Sequence, residues 1–170
     1  RRLSNQRLAE LYGLSPSISL FRVLRRIWDV DEAGRPLTAL LCALARDPLL
    51  RATAQSVLPL PAGGELSRTV MSGAIRAATG NRLNESSIDK VARNASSSWA
   101  QSGHLKGRFR KIRQEVRPTP GPVAYALWLG SLYGFAGEHL LKTPWARVLD
   151  QSPVELLDLA LRAKQLGLIN

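Results

Sequence analysis

Apolar residues recur along most of this chain at intervals of three and four, and the strict alternation of a large β-sheet is missing, so the pattern predicts an all-α fold. Leu8, Leu11 and Tyr12 mark a first helix that Ser4 or Asn5 can cap. Leu20, Val23, Leu24 and Ile27 mark a second, capped by Ser17 or Ser19. A polar turn is expected at 29–35, followed by helices at about 36–46 and 48–57, the latter opened by Asp47 as N-cap and Pro48 at the first helical position. Together these helices make an N-terminal helical subdomain over residues 1–58.

The run Leu58-Pro59-Leu60-Pro61-Ala62-Gly63-Gly64 breaks helical structure and is the clearest internal boundary. After it, a helix is predicted over 65–79 with Gly80 as C-cap, then a turn at 81–84, then a second helix over about 85–102. Helix, glycine-containing turn and helix form a helix-turn-helix pattern, and residues 65–117 read as a winged helix-turn-helix-like DNA-binding region. Prolines 118, 120 and 122 stop regular structure before an apolar helix beginning near Val123. A short helical turn at 144–149 and a last helix at 152–166 complete a C-terminal region, 118–170, that is expected to pack on both preceding parts. The fold allows at most one small β-hairpin. The most apolar run, 123–136, falls short of the roughly 20 residues a bilayer span needs, so it is read as a core helix of a soluble, cytoplasmic protein without a membrane partner.

The second helix of the helix-turn-helix carries the most chemistry. Ile88, Val91, Ala92, Ala95 and Trp99 gather on one face at 3.6 residues per turn and must pack inward. The opposite face collects Ser86, Lys90, Arg93, Asn94, Ser97 and Gln101, with Ser87 beside them at the N-terminal end. These side chains hydrogen-bond base edges and phosphates, and short serines permit close approach to a groove. A solvated helix face is the competing reading. Position as second helix favours a recognition helix whose N-terminal end enters the major groove.

Charge sharpens this picture. The chain holds 24 Lys and Arg against 13 Asp and Glu, a formal net charge of +11, and such an excess favours polyanionic partners. From Arg76 to Arg117, ten basic residues face three acidic ones, so a quarter of the chain carries +7 of that charge. Six of the ten lie between His104 and Arg117. Lys106, Arg108, Arg110, Lys111 and Arg113 are expected to hold phosphates. Their place after the second helix favours a β-hairpin wing, while the spacing of Leu105, Phe109, Ile112 and Val116 also fits a helix.

Catalytic and metal readings find little support. The single cysteine, Cys42, sits in an apolar run and reads as a buried inert thiol, which excludes disulfide scaffolds and Cys-based zinc sites. His104 and His139 are too few for most metal or triad chemistry, His139 reads as structural, and no HExxH, nucleophile elbow or P-loop occurs. No cofactor or metal is expected. The tryptophans Trp99, Trp128 and Trp145 read as core anchors.

The helical segments before residue 84, the run NESSIDKVARNASSSWAQSGHL over 84–105 and the basic stretch after it resemble, in their order, the BrxA family of bacteriophage-exclusion (BREX) systems. The resemblance implies double-stranded DNA binding and a role in phage defence, with other subunits of a defence complex as further partners; it transfers no individual functional residue. The residues themselves leave two rivals, an RNA-binding helical protein of antitermination type and a basic assembly subunit docking an acidic protein.

Overall fold

The computed structural model describes Ala9, residues 13–80 and residues 82–170. The first expected helix, with its caps at Ser4 and Asn5, and turn residue Asn81 lie outside the described residues. The fold is mostly helical, with a single small three-stranded sheet among the described residues.

The described residues form two compact units, one of those up to Arg46 together with Arg117–Asn170, the other of those within Asp47–Val116. This departs from the expected division at 58–64. Helix Pro48–Val57 belongs with the helix-turn-helix, and the glycines of the proline-rich run are stitched into the second unit: Gly63 N donates to Arg113 O (2.9 Å) and Arg113 N to Gly64 O (2.8 Å). A run that breaks helices proved to be the approach to a strand.

The first unit contains α1 (Ser19–Val30), α2 (Arg35–Arg46), α6 (Pro120–Leu132), a 3-10 segment (Gly137–Lys142), α7 (Pro144–Arg147) and α8 (Pro153–Gln165). Helix α6 packs against α1, α2, α7 and α8, which explains why it is apolar nearly all round, as a central helix must be. It begins at Pro120, three residues earlier than expected, because prolines in a first turn forfeit only amide groups that have no intrahelical partner. Thr119 does not cap it with its own side chain. The Asp31 carboxylate does so from the other segment, accepting from Gly121 N (2.8 Å), Thr119 Oγ1 (2.6 Å) and Gly34 N (2.9 Å). A negative group at a helix N-terminus is favoured by the aligned peptide dipoles. The fit is close: a Cβ on Gly121 would lie 2.6 Å from Asp31 Oδ2 and 2.7 Å from Ile27 Cγ2. Cys42 is fully buried, and burial raises its thiol pKa. His139, read as structural, lies exposed in the 3-10 segment because α6 ends at Leu132, before reaching it.

The second unit runs α3 (Pro48–Val57), β1 (Glu65–Leu66), α4 (Arg68–Thr79), α5 (Glu85–Gln101), β2 (Leu105–Lys106), β3 (Lys111–Arg113). This is the element order of a winged helix-turn-helix. Local signals place each helix: Asp47 accepts from Leu49 N and Leu50 N at α3, Ser67 from Val70 N at α4, and Asn84 from Ser87 N at α5. Gly80, in the left-handed region, ends α4. Helix α4 packs on α3 and α5, burying Val57, Met71, Ile75, Ile88, Ala92 and Trp99. Trp99 Nε1 donates to Thr53 Oγ1 (2.8 Å), which donates on to Leu50 O (2.6 Å), so this large buried side chain also ties α5 to α3. His104 is buried against the Trp99 ring, edge to face with 4.9 Å between centroids, and bonded through Nδ1 to Ser102 Oγ (2.8 Å).

The sheet has order β1-β3-β2, all antiparallel, with Glu65 opposite Ile112, Leu66 opposite Lys111, Leu105 opposite Arg113 and Lys106 opposite Ile112. The stretch open to both helix and wing is therefore a wing. The third strand, β1, lies inside the segment expected to be the start of a helix. Ser67 caps α4 at Arg68, and the two residues before it pair with β3 instead.

Candidate nucleic-acid interface

Helix α5 presents Ser86, Lys90, Arg93, Asn94 and Ser97 to solvent, with Gln101 on the same side, while Ile88, Ala92, Ala95 and Trp99 are buried. The polar stripe is about 100° wide at 3.6 residues per turn. Ser87 is half-buried at its edge, its amide held by the Asn84 cap.

Pairing and alternation in the sheet decide which wing residues can reach a ligand. Leu66, Lys111, Arg113 and Leu105 share one face by register, and Glu65, Ile112 and Lys106 the other. The structure corrects the sequence expectation at Arg113, whose inward position leaves it 2% exposed. Its Nε donates to Val57 O (3.1 Å) and its guanidinium bonds Gln114 O, so it serves the interior rather than a phosphate. Lys106 is exposed on the opposite sheet face from Lys111. Arg110 is exposed too, but Glu65 Oε2 accepts from its Nε (2.9 Å) and Nη2 (2.5 Å). That hydrogen bond, with the opposite charge, holds the Glu65 carboxyl below the usual carboxylate range and raises the Arg110 pKa. Arg110 therefore braces the wing onto β1.

Two further cations are matched in the same way. Arg76 pairs with Glu85 (2.7 Å) and Arg68 with Asp89 (2.7 Å), each joining α4 to α5. The charge excess seen in the sequence is thus partly neutralised in place. Lys90 and Arg93 carry no acidic partner among the described residues, Arg108 lies over the Phe109 ring at 5.3 Å, and Lys111 Nζ donates to Gly107 O (2.7 Å).

Helix and wing face a common concavity of about 640 Å³. Arg93, Ser96, Ser97 and Gln101 line it from α5, Arg108, Phe109 and Lys111 from the wing, and Arg68 and Met71 from α4. Four basic side chains line it and no carboxylate does. Of the side chains expected to bind DNA, the groove brings together Arg93, Ser97, Arg108 and Lys111. Ser86, Lys90 and Asn94 extend the stripe beyond it, and Arg113 is withdrawn.

Sequence reasoning missed Arg68, Ser96 and above all Phe109, which is 90% exposed at the wing tip. The available signal was Gly107 within an alternating basic run: a residue at φ 105° is a turn, not a helix interior. An added Cβ at Gly107 would fall on Arg110 O, so the tip needs this glycine for space as well as for its backbone angle.

Among the described residues no group of three or more His, Cys, Asp or Glu stands ready to hold a metal ion, and no helix is long and apolar enough to cross a membrane. No protein-family model, no curated protein and no solved structure matches this chain.

Proposed function

We propose that this chain is a non-catalytic, sequence-tolerant double-stranded DNA-binding protein. The observation that carries the reading is the concavity between α5 and the wing, lined by Arg93, Arg108 and Lys111 without acidic partners among the described residues and by Arg68 paired with Asp89, beside an exposed polar helix stripe. A helix of α5's girth fits the B-form major groove, and its stripe offers Ser86, Lys90, Arg93, Asn94 and Ser97 to base edges and phosphates. The concavity then receives one sugar-phosphate strand, with Arg93 on its helix side and Arg108 and Lys111 on its wing side. Short serines and unpaired cations supply affinity with little base discrimination, hence the tolerance of sequence. The BrxA-like order of parts extends the proposal to a cytoplasmic phage-defence component working with other subunits.

The test is a fluorescence-anisotropy titration of a random duplex of about 20 base pairs across a salt series, with structured RNA as competitor. Tight binding at low salt that weakens steeply with salt, and poor competition by RNA, is the expected result, since an A-form major groove is too deep and narrow for α5. Absence of binding at low salt overturns the proposal and favours an acidic protein partner; preferential binding of RNA overturns the choice of duplex DNA.

A further inference from the structure

Resting on the duplex-DNA reading above, we propose that the wing tip is a minor-groove wedge in which Phe109 enters between stacked base pairs and kinks the duplex. With α5 in the major groove and one sugar-phosphate strand in the concavity, the wing lies on the far side of that strand. The far side of a backbone that borders the major groove is the minor groove.

The chemistry of the tip fits that place. Phe109 is 90% exposed and gains nothing from the protein interior, yet it is carried on a turn stiffened at three points. Gly107 supplies the backbone angle of 105°, Lys111 Nζ bonds Gly107 O (2.7 Å), and Arg110 is clamped to Glu65 (2.5 Å). Solvent-exposed apolar residues are common singly and need no explanation by themselves. This one sits between two arginines at the mouth of a cationic groove, where only the faces of bases and the sugar edges of DNA offer apolar surface. The Arg108 guanidinium lies 5.3 Å from the ring centroid, so the tip carries a cation for the narrow groove next to a ring for stacking. Apolar wedges flanked by basic side chains unstack base steps at a cost of a few kcal/mol per step, recovered through the wider contact that bent DNA allows.

The experiment follows two signals in one titration of a 12–14 base-pair duplex, which holds few binding registers. Anisotropy of an end label reports binding, and the emission of 2-aminopurine at a central, easily unstacked TA step reports base unstacking. For the unaltered protein both signals rise together. Phe109→Ala keeps the helical circular dichroism and melting temperature, as its exposure requires, raises Kd about tenfold and abolishes the 2-aminopurine rise. Phe109→Leu, still apolar, restores part of it. Binding without brighter 2-aminopurine overturns the wedge and leaves the duplex reading standing. Equal behaviour of Phe109→Ala and the unaltered protein in both signals overturns it too and points to a protein contact. No change in anisotropy overturns the duplex reading, and the wedge with it.

Discussion

Replacing Arg93 and Arg108 with alanine removes two of the four cations that the α5 stripe and the groove leave without an acidic partner, the others being Lys90 and Lys111. Counterion release gives a salt slope of about −0.9 per neutralised phosphate, so four contacts predict a slope of about −3.6 for log K against log salt. Affinity should then fall about 150-fold between 50 and 200 mM salt. The double variant halves the slope to about −1.8 and costs roughly 30-fold in affinity at 0.15 M salt. Both side chains are exposed, so stability stays as it was. The control removes a matched pair: Arg76→Gln with Glu85→Gln deletes a basic residue of the same segment but leaves the slope near −3.6, because that guanidinium already faces a carboxylate at 2.7 Å. Anisotropy titrations at five salt concentrations on one duplex decide the matter. A slope near −9 for the unaltered protein, as if all ten basic residues of 76–117 made contact, refutes the reasoning, and so does an unchanged slope in the double variant.

Three further outcomes follow from the geometry. Arg113→Met keeps the aliphatic stem but removes the buried side-chain hydrogen bonds to Val57 O and Gln114 O, leaving Val57 O with the Leu60 amide, and should destabilise the Asp47–Val116 unit by about 1–3 kcal/mol in thermal or urea unfolding; a neutral effect would contradict its interior role. Asp31→Ala removes three hydrogen bonds to one carboxylate and the cap of α6, so a loss of about 2–3 kcal/mol is expected, with Asp31→Asn intermediate. Glu65→Gln releases Arg110 on the sheet face away from the groove: the salt slope on duplex DNA should stay near −3.6, and part of the acid sensitivity should vanish. The sign follows from the lowered Glu65 pKa, since a depressed folded value means that the pair's contribution is present above the ordinary carboxylate range and is lost as pH falls through that lower value. A Glu65→Gln protein with an unchanged acid limb of its melting-temperature profile would contradict the pairing.

The elements that were legible in the chain are those whose information is local. The stripe and buried face of α5 follow from a 3.6-residue period, and Asp47 and Gly80 mark helix ends by side-chain or backbone chemistry within a few residues. What escaped depends on distant partners. Strand β1 is two residues long and exists because β3, more than forty residues later, pairs with it. Arg113 reads as one more surface cation in a basic run until strand alternation and the register with Leu105 turn it inward. The division into units joins residues before 47 to residues after 116 through Asp31, a contact that no local pattern announces. Within the interface, composition overstated the available charge, because Glu65, Glu85 and Asp89 are each placed on a specific arginine by tertiary structure.

That helix α5 and the wing form one nucleic-acid face is tested most directly by mapping backbone amide chemical shifts, residue by residue, while the protein is titrated with a short duplex. The account predicts that the largest changes fall on residues 86–97 of α5 and 107–111 of the wing, in a single binding event. Changes confined to α5, or concentrated on the exposed Val154, Leu157 and Leu161 of α8, would contradict it.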